Sequence, residues 1–317
     1  MDLTLGLAIT PRTRALFDDS VRPEGIQLRC ESQFGTGLDN TGARHRAILQ
    51  GQIDGGECST SSFILARMRG VKLRALPVFL ARQFRHRCMF CAVGAPLAHP
   101  SDLKGKRVTV HRYNSTTAVW IRGLLENEYG LAPEAMEWHV AEPDVGAEAS
   151  RPVPAGVTVK LIPSPRTREH AIEMVANGEI DAALEPYSQL ARETRLRRLL
   201  GDYRIEEAAY FRRTQVVPVI HTLVLREELV AAHPSAVGSL ISAFREARSL
   251  AQRYMNEEEK AEARWLNEAV NCDPFAYRLD SSARKSLETL LQYQFQQRLL
   301  DTAPALDDLF FPGSLAI

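Results

Sequence analysis

Residues 84–91 read FRHRCMFC, three cationizable side chains set against an apolar run. Arg85, His86 and Arg87 are costly to bury without anionic partners. Either they lie at an exposed edge or a negative group meets them there. An arginine fork suits a carboxylate, and a histidine titrates near neutrality. On a regular strand Arg85 and Arg87 share one face and His86 takes the other. A bend, or separate targets, is needed if all three serve one ligand. His221 lies inside PVIHTLVL, a pattern that fits a satisfied core histidine as well as a site residue. Arg12 and Arg14 follow Pro11, between a strand and a helix. An arginine at a helix N-terminus suits a carboxylate, and a solvated surface pair has the same pattern. Cys88 and Cys91 form a C-x-x-C. On a strand, positions three apart face opposite ways, so the pair reads as two small core residues rather than a chelate. No ligand cluster has metal spacing, and no metal is assigned.

These residues must be positioned by a chain of 317 residues, a length that predicts about two domains. With 45% apolar and 25% charged residues the composition is that of an ordinary globular protein. A net charge of zero lacks the basic excess of a nucleic-acid binder. No apolar run reaches the roughly 18 residues of a membrane span. In MDLTLGLAITPRTRALF an acid stands at position 2 and Pro11-Arg12 break the apolar stretch. The segment reads as a first strand rather than a signal peptide, so a cytoplasmic protein is expected. Five scattered cysteines, an odd number, do not suggest a disulfide framework. Assembly into a homo-oligomer is compatible with the sequence.

Strands and helices alternate. LTLGLA, IQLRCES, IDGGECS, LRALPVFL and RHRCMFCAV read as strands, with helices at PRTRALFDD, DNTGARHRAILQG and TSSFILARMRG. From about residue 95 a second set follows: KRVTVHR, MEWHVAE, VTVKLIP and IDAALEP as strands, STTAVWIRGLLENEYG and RTREHAIEMVANG as helices. VVPVIHTLVLR is a late strand and three long helices follow it. Such alternation predicts an α/β fold with a largely parallel sheet. AILQGQIDGGECS and EMVANGEIDAALEP share one pattern around Ile-Asp, which suggests two similar lobes. Ligands of open α/β sheets bind outside the carboxyl ends of strands. Those ends offer Ser59, Thr60, Ser61 and Ser62 in the first unit, Glu185 and Tyr187 in the second. The serines could equally cap the next helix.

PRTRAL, FRH, DLKGKRV, AVWIRGLLENEYG, DYRIEEAAYFRRTQVVPVIHTLVLR and LETLLQYQFQQ occur in this order. Together they resemble the 4,5-dihydroxyphthalate decarboxylase family over most of the chain. That family is similar in fold to the type II periplasmic solute-binding proteins. The resemblance implies two α/β lobes with the ligand in the cleft between them. Residues 1–94 and 215–317 would form lobe 1, and 95–214 lobe 2. It implies a cofactor-independent decarboxylation of a hydroxylated aromatic dicarboxylate, such as 4,5-dihydroxyphthalate to 3,4-dihydroxybenzoate and CO2. His86 and His221 would then divide the acid and base roles. Arg12, Arg14, Ser59, Ser61, Arg85, Tyr113, Asn114, Thr116, Glu185 and Tyr187 would bind the aromatic carboxylate. Trp120 is expected to pack, Arg122 to pair at the surface, and Arg212 and Arg213 to serve the hinge. Three places depart from the family's pattern: the loop GTGLDNTGARH, Glu185-Pro186-Tyr187, and Arg112 where an acid is expected. A charge change of that kind alters which ligand is accepted. A solute-binding protein without turnover is the competing reading, and a different lyase on the same scaffold is a third. Two histidines near the cleft favour an enzyme, because a passive carboxylate binder needs no proton donor.

Overall fold

The computed structural model describes residues 1–34, 40–146, 150–162, 167–186 and 188–316. Its strands form two sheets. The first contains β1 (Asp2–Gly6), β2 (Gln27–Glu31), β3 (Gly55–Ser59), β4 (Leu73–Ala75), β5 (Ala81–Arg82) and β12 (Val219–Arg226). Its order is β2-β1-β3-β12-β4, with β5 beside β12. The second contains β6 (Met89–Ala92), β7 (Arg107–Val110), β8 (Glu137–Val140), β9 (Thr158–Leu161), β10 (Ala182–Leu184) and β11 (Leu196–Arg198). Its order is β11-β6-β10-β7-β8-β9.

The two sheets repeat one plan, and the Ile-Asp echo marks it. β3 runs parallel to β1 and antiparallel to β12. β10 runs parallel to β7 and antiparallel to β6. Asp54 accepts the backbone N–H of Thr4 in β1 at 2.7 Å. Asp181 accepts that of Arg107 in β7 at 2.9 Å. In both lobes the carboxylate before the inner strand satisfies a main-chain donor of its parallel neighbour. The two antiparallel returns, β12 and β6, make each sheet mixed rather than wholly parallel.

The first crossing between lobes comes earlier than residue 94. β6 already pairs with β10 and β11 of the second sheet, so the chain crosses between Arg82 and Met89. The segment expected to be a strand from residue 84 opens instead as a 3₁₀ turn, His86–Cys88. Arg87 explains the bend. Its guanidinium pairs with Glu207 at 2.6 Å and with Glu262, and its backbone N–H also donates to Glu207. LRALPVFL is likewise strand only at Leu73–Ala75 and Ala81–Arg82, since Pro77 between them has no N–H to give a ladder. The return crossing follows the helix Tyr203–Thr214, closed by Gln215 with φ 58°.

One cluster of buried side chains runs through both lobes. It joins Phe63 and Ile64 of helix Thr60–Met68, Val119 and Trp120 of helix Thr116–Tyr129, and Leu287 and Leu290 of helix Ser281–Gln296. Trp120 packs as expected, its Nε1–H donating to the Val219 carbonyl at 3.0 Å. Arg122 does not reach the surface. It is fully buried, 3.8 Å over the Tyr113 ring, with Nε donating to Gln297. Arg213 pairs with Glu128 and Arg212 is exposed. Among the described residues no helix is long and apolar enough to cross a membrane.

Candidate functional site

Two helices, one from each lobe, meet end to end at the C-terminal edges of the sheets. Ser59 ends β3 and caps the helix Thr60–Met68; Ser115 caps the helix Thr116–Tyr129. The Ser59 hydroxyl lies 2.8 Å from that of Thr116. The Ser61 N–H donates to Thr116 Oγ1 at 2.9 Å, and the Ser61 hydroxyl donates to the Asn114 carbonyl at 2.9 Å. Gln294 in turn donates to Ser61 Oγ at 2.9 Å. Asn114 is held by Asp144, which accepts both its N–H (3.0 Å) and its side-chain amide (2.6 Å). Capping and a ligand role are compatible here, since capped helix ends turn donors towards the space between lobes.

His221 stands opposite Ser59 in the β3–β12 register. Its Nδ1 lies 2.6 Å from Oε1 of Glu57. Glu57 is buried, and burial alone would push its carboxyl up. The Arg44 guanidinium at 3.3 Å, the His221 ring and the Ala8 N–H at 2.9 Å outweigh burial and hold it well below the carboxylate range. An ionised carboxylate only accepts, so Nδ1 carries the proton and Nε2 is left for another partner. Among the described residues Nε2 makes no hydrogen bond. His45 stands edge-on to His221, ring centroids 5.0 Å apart. Burial, then the positive charge of His221 and Arg44, drives His45 to the neutral form. Arg112 of the second lobe also acts on His45; it is buried and pairs with Glu142 at 2.5 Å. Gly55 and Gly56 bring Glu57 this close. A Cβ on Gly56, which has φ 143°, would lie 2.2 Å from the Gly6 carbonyl, and one on Gly55 2.2 Å from that of Val224.

The other expected site residues divide. Ser59, Ser61, Asn114 and Thr116 meet at the seam, with His221 beside it. Arg12 is stacked 3.9 Å over Phe275 and donates to the Leu80 carbonyl. The helix after it is a single turn, Arg14–Phe17, too short to offer the dipole the sequence suggested, and Arg14 is exposed. Arg85 is buried, donates to Gln83 and Cys88, and has no acid partner among the described residues. His86 is buried against Tyr210 with its Nδ1 unpartnered. Burial, with the charges of Arg213 and Arg87, brings its pKa down to about 3, so the ring is neutral at pH 7. The histidine that meets His221 is thus His45, and His86 serves the crossing. Tyr113 lies under Arg122, and its hydroxyl makes no hydrogen bond among the described residues. Glu185 is buried at the end of β10. Tyr187 falls outside the described residues. Glu57, Arg44 and His45 escaped the sequence reading. Glu57 alone left a trace, as the one acid in the small-residue run GGECS. Among the described residues no group of three or more His, Cys, Asp or Glu is placed to hold a metal ion.

No family model matches the chain. It is 29% identical over 258 residues to a 4,5-dihydroxyphthalate decarboxylase of Comamonas testosteroni, covering 79% of this chain and 76% of the relative. It is 30% identical over 190 residues to the enzyme of that name from Pseudomonas putida, covering 59% of this chain and 70% of the relative. The chain belongs to the 4,5-dihydroxyphthalate decarboxylase family. Solved structures place this member of the family in a two-lobed periplasmic-binding-protein-like fold. The alkanesulfonate-binding protein SsuA of Xanthomonas axonopodis pv. citri, bound to MOPS, matches with a TM-score of 0.60 at 16% identity, covering 98% of each chain. The desulfurization enzyme DSZB matches with a TM-score of 0.55 at 18% identity, covering 99% of this chain and 97% of that one. At these identities the likeness concerns the fold alone.

Proposed function

We propose that this protein is a decarboxylase of a hydroxylated aromatic carboxylate, with 4,5-dihydroxyphthalate as the first candidate and 3,4-dihydroxybenzoate and CO2 as products. Membership of the family supports the reaction class. The observation that carries the residue assignment is the pairing of buried Glu57 with part-exposed His221, 2.6 Å apart, beside the seam between the lobes.

A ring hydroxyl para to the departing carboxylate makes the carbon bearing it electron-rich. Protonated His221 gives that carbon a proton from Nε2, forming a C–H bond and a dienone-like intermediate. The C–C bond to the carboxylate then breaks, its electron pair restores the aromatic ring, and CO2 leaves. One proton is taken up for each CO2 released, and no redox step or cofactor is required. Glu57 fixes the ring orientation and the Nδ1–H tautomer of His221. The hydroxyls and N–H groups of Ser59, Ser61 and Thr116 bind acidic or phenolic oxygens once a ligand parts them, and Arg85 is a buried cation at the crossing without an acid partner among the described residues.

The test is incubation of the protein with 4,5-dihydroxyphthalate and several hydroxylated benzoates, measuring CO2 and the aromatic product. The wild type is expected to release CO2 from at least one of them, and His221→Gln to lose about 10²-fold or more of that rate with the fold kept. Full activity in the variant would remove His221 from the chemistry. Ligand-dependent stabilisation without any release would favour a solute-binding protein.

A further inference from the structure

Two consecutive residues of the helix Asn40–Leu49 lean on the Glu57–His221 pair. Arg44 meets Glu57 at 3.3 Å, and His45 stands edge-on to the His221 ring, centroids 5.0 Å apart. Arg44 has a structural task there, because a buried carboxylate needs a cation. His45 has no such task. It is only 5% exposed, and its Nε2 makes no hydrogen bond among the described residues, although a buried polar atom normally finds a partner. A ring that only packed against His221 would be served better by Phe, which buries no unpaired nitrogen. The charge of Arg112, from the second lobe, also reaches His45, so the ring lies close to the seam where Ser59, Thr116 and His221 meet. Burial, then the charges of His221, Arg44 and Arg112, hold His45 neutral, while Glu57 acts the other way. A neutral imidazole has one N–H and one bare nitrogen. With the proton on Nδ1, Nε2 is the acceptor.

We propose that His45 receives the substrate's ring hydroxyl at Nε2 and takes its proton while His221 delivers one to the ring carbon. This rests on the reading of His221 as the proton donor, and it names the base that the reading leaves open. The Nε2–H bond of His221 breaks and a ring C–H bond forms; the phenol O–H bond breaks and an N–H bond forms on His45, leaving a ring carbonyl. When the C–C bond to the carboxylate breaks, its electron pair restores the ring, the carbonyl oxygen takes its proton back from His45, and CO2 leaves. His221 regains one proton from solvent. Positive charge thus passes from one imidazole to its neighbour as the ring is protonated, and the two together hold one charge throughout that step. A weak base is enough, because a phenol whose ring is being protonated is a far stronger acid than the phenol itself.

The experiment compares wild type, His45→Phe and His45→Gln as full chains. Calorimetric titration with 3,4-dihydroxybenzoate and with benzoate reads binding; CO2 release from 4,5-dihydroxyphthalate and other hydroxylated acids reads turnover. Phe keeps a ring against His221 and removes the acceptor, whereas Gln keeps an acceptor that cannot take a proton. Wild type is expected to bind the dihydroxy acid more tightly than benzoate. His45→Phe should weaken the dihydroxy acid by roughly 10-fold, the size of one lost hydrogen bond, and leave benzoate nearly unchanged. His45→Gln should keep most of that affinity and still lose about 10²-fold in kcat. Wild-type turnover in His45→Gln, equal weakening of both acids in His45→Phe, or a wild type that does not distinguish the two acids would overturn the assignment. Hydroxyl-dependent binding that His45→Phe abolishes, without CO2 release from any acid, would sink the decarboxylase reading and spare His45 as the acceptor of the hydroxyl. CO2 release that both variants leave intact would do the reverse.

Discussion

A carboxylate removed from water stays charged only where cations and donors replace the water. Glu57 has all of these, yet they come from β12, from the helix Asn40–Leu49 and from the turn after β1. Its partner His221 is 164 positions away in the chain, and no local pattern carries a pairing of that range. His221 was visible in the sequence because it breaks an apolar strand; its dependence on Glu57 was not. His86 shows the opposite failure. Flanking arginines made it look like a site residue, whereas one of them, Arg87, is engaged by two glutamates and the histidine is packed away. Its pH signature follows. The unfolded chain binds a proton at His86 below about 6.5, and the folded chain only near pH 3. Between these values the unfolded state holds more protons, so stability falls as pH falls, by on the order of 3 kcal/mol at pH 4 from this group. His86→Phe should lose less stability than wild type between pH 7 and pH 4 in urea unfolding. Parallel curves for the two proteins would refute the burial-driven shift.

Among the elements, the helix Thr116–Tyr129 does the most to set the seam, and its Ser/Thr start and Gly130 stop were readable in the sequence. Its environment was not. A helix of this composition was expected to show Arg122 to solvent, but the C-terminal helix Ser281–Gln296 covers that face. Gly123 allows the contact: a Cβ there would lie 2.0 Å from the Tyr293 ring. Two effects then oppose each other in Gly123→Ala. Helix propensity favours alanine by about 1 kcal/mol, and overpacking a well-filled contact costs about 1–3 kcal/mol. The ring atoms that clash belong to the base of the side chain as well as its edge, so overpacking should win. The variant is expected to melt several degrees lower, and Tyr293→Leu in the same chain to recover part of the loss. A Gly123→Ala protein more stable than wild type would show that the two helices are less tightly docked than drawn.

For the whole molecule, the repeated Ile-Asp unit was the most informative feature of the sequence, because the same main-chain need, an N–H of the parallel neighbouring strand met by the aspartate, arises in each lobe. The place of the crossing was less readable, since FRHRCMFC has the apolar content of a strand and only the remote acids Glu207 and Glu262 bend it. The chain also does not divide into two separate cores; one cluster spans the seam. That continuity has a consequence for its thiols. Cys58 in β3, Cys88 in the crossing turn and Cys91 in β6 are free and at most 1% exposed. Burial raises all three, Cys58 to about 12, and a protonated, covered thiol does not react with an alkylating agent. Burial raises Cys30, to about 12, and Cys272 as well, but these two are only partly covered, so access rather than charge separates the five thiols. Labelling with a maleimide at neutral pH should therefore proceed in two classes, two sulfurs soon and three late. The slow class times how often the interior opens, and an acid bound across the seam should lengthen that time. Five sulfurs modified together in native buffer would mean that the shared core does not hold the lobes shut. The chain would thus carry its own clock for breathing, set in residues that take no part in the chemistry.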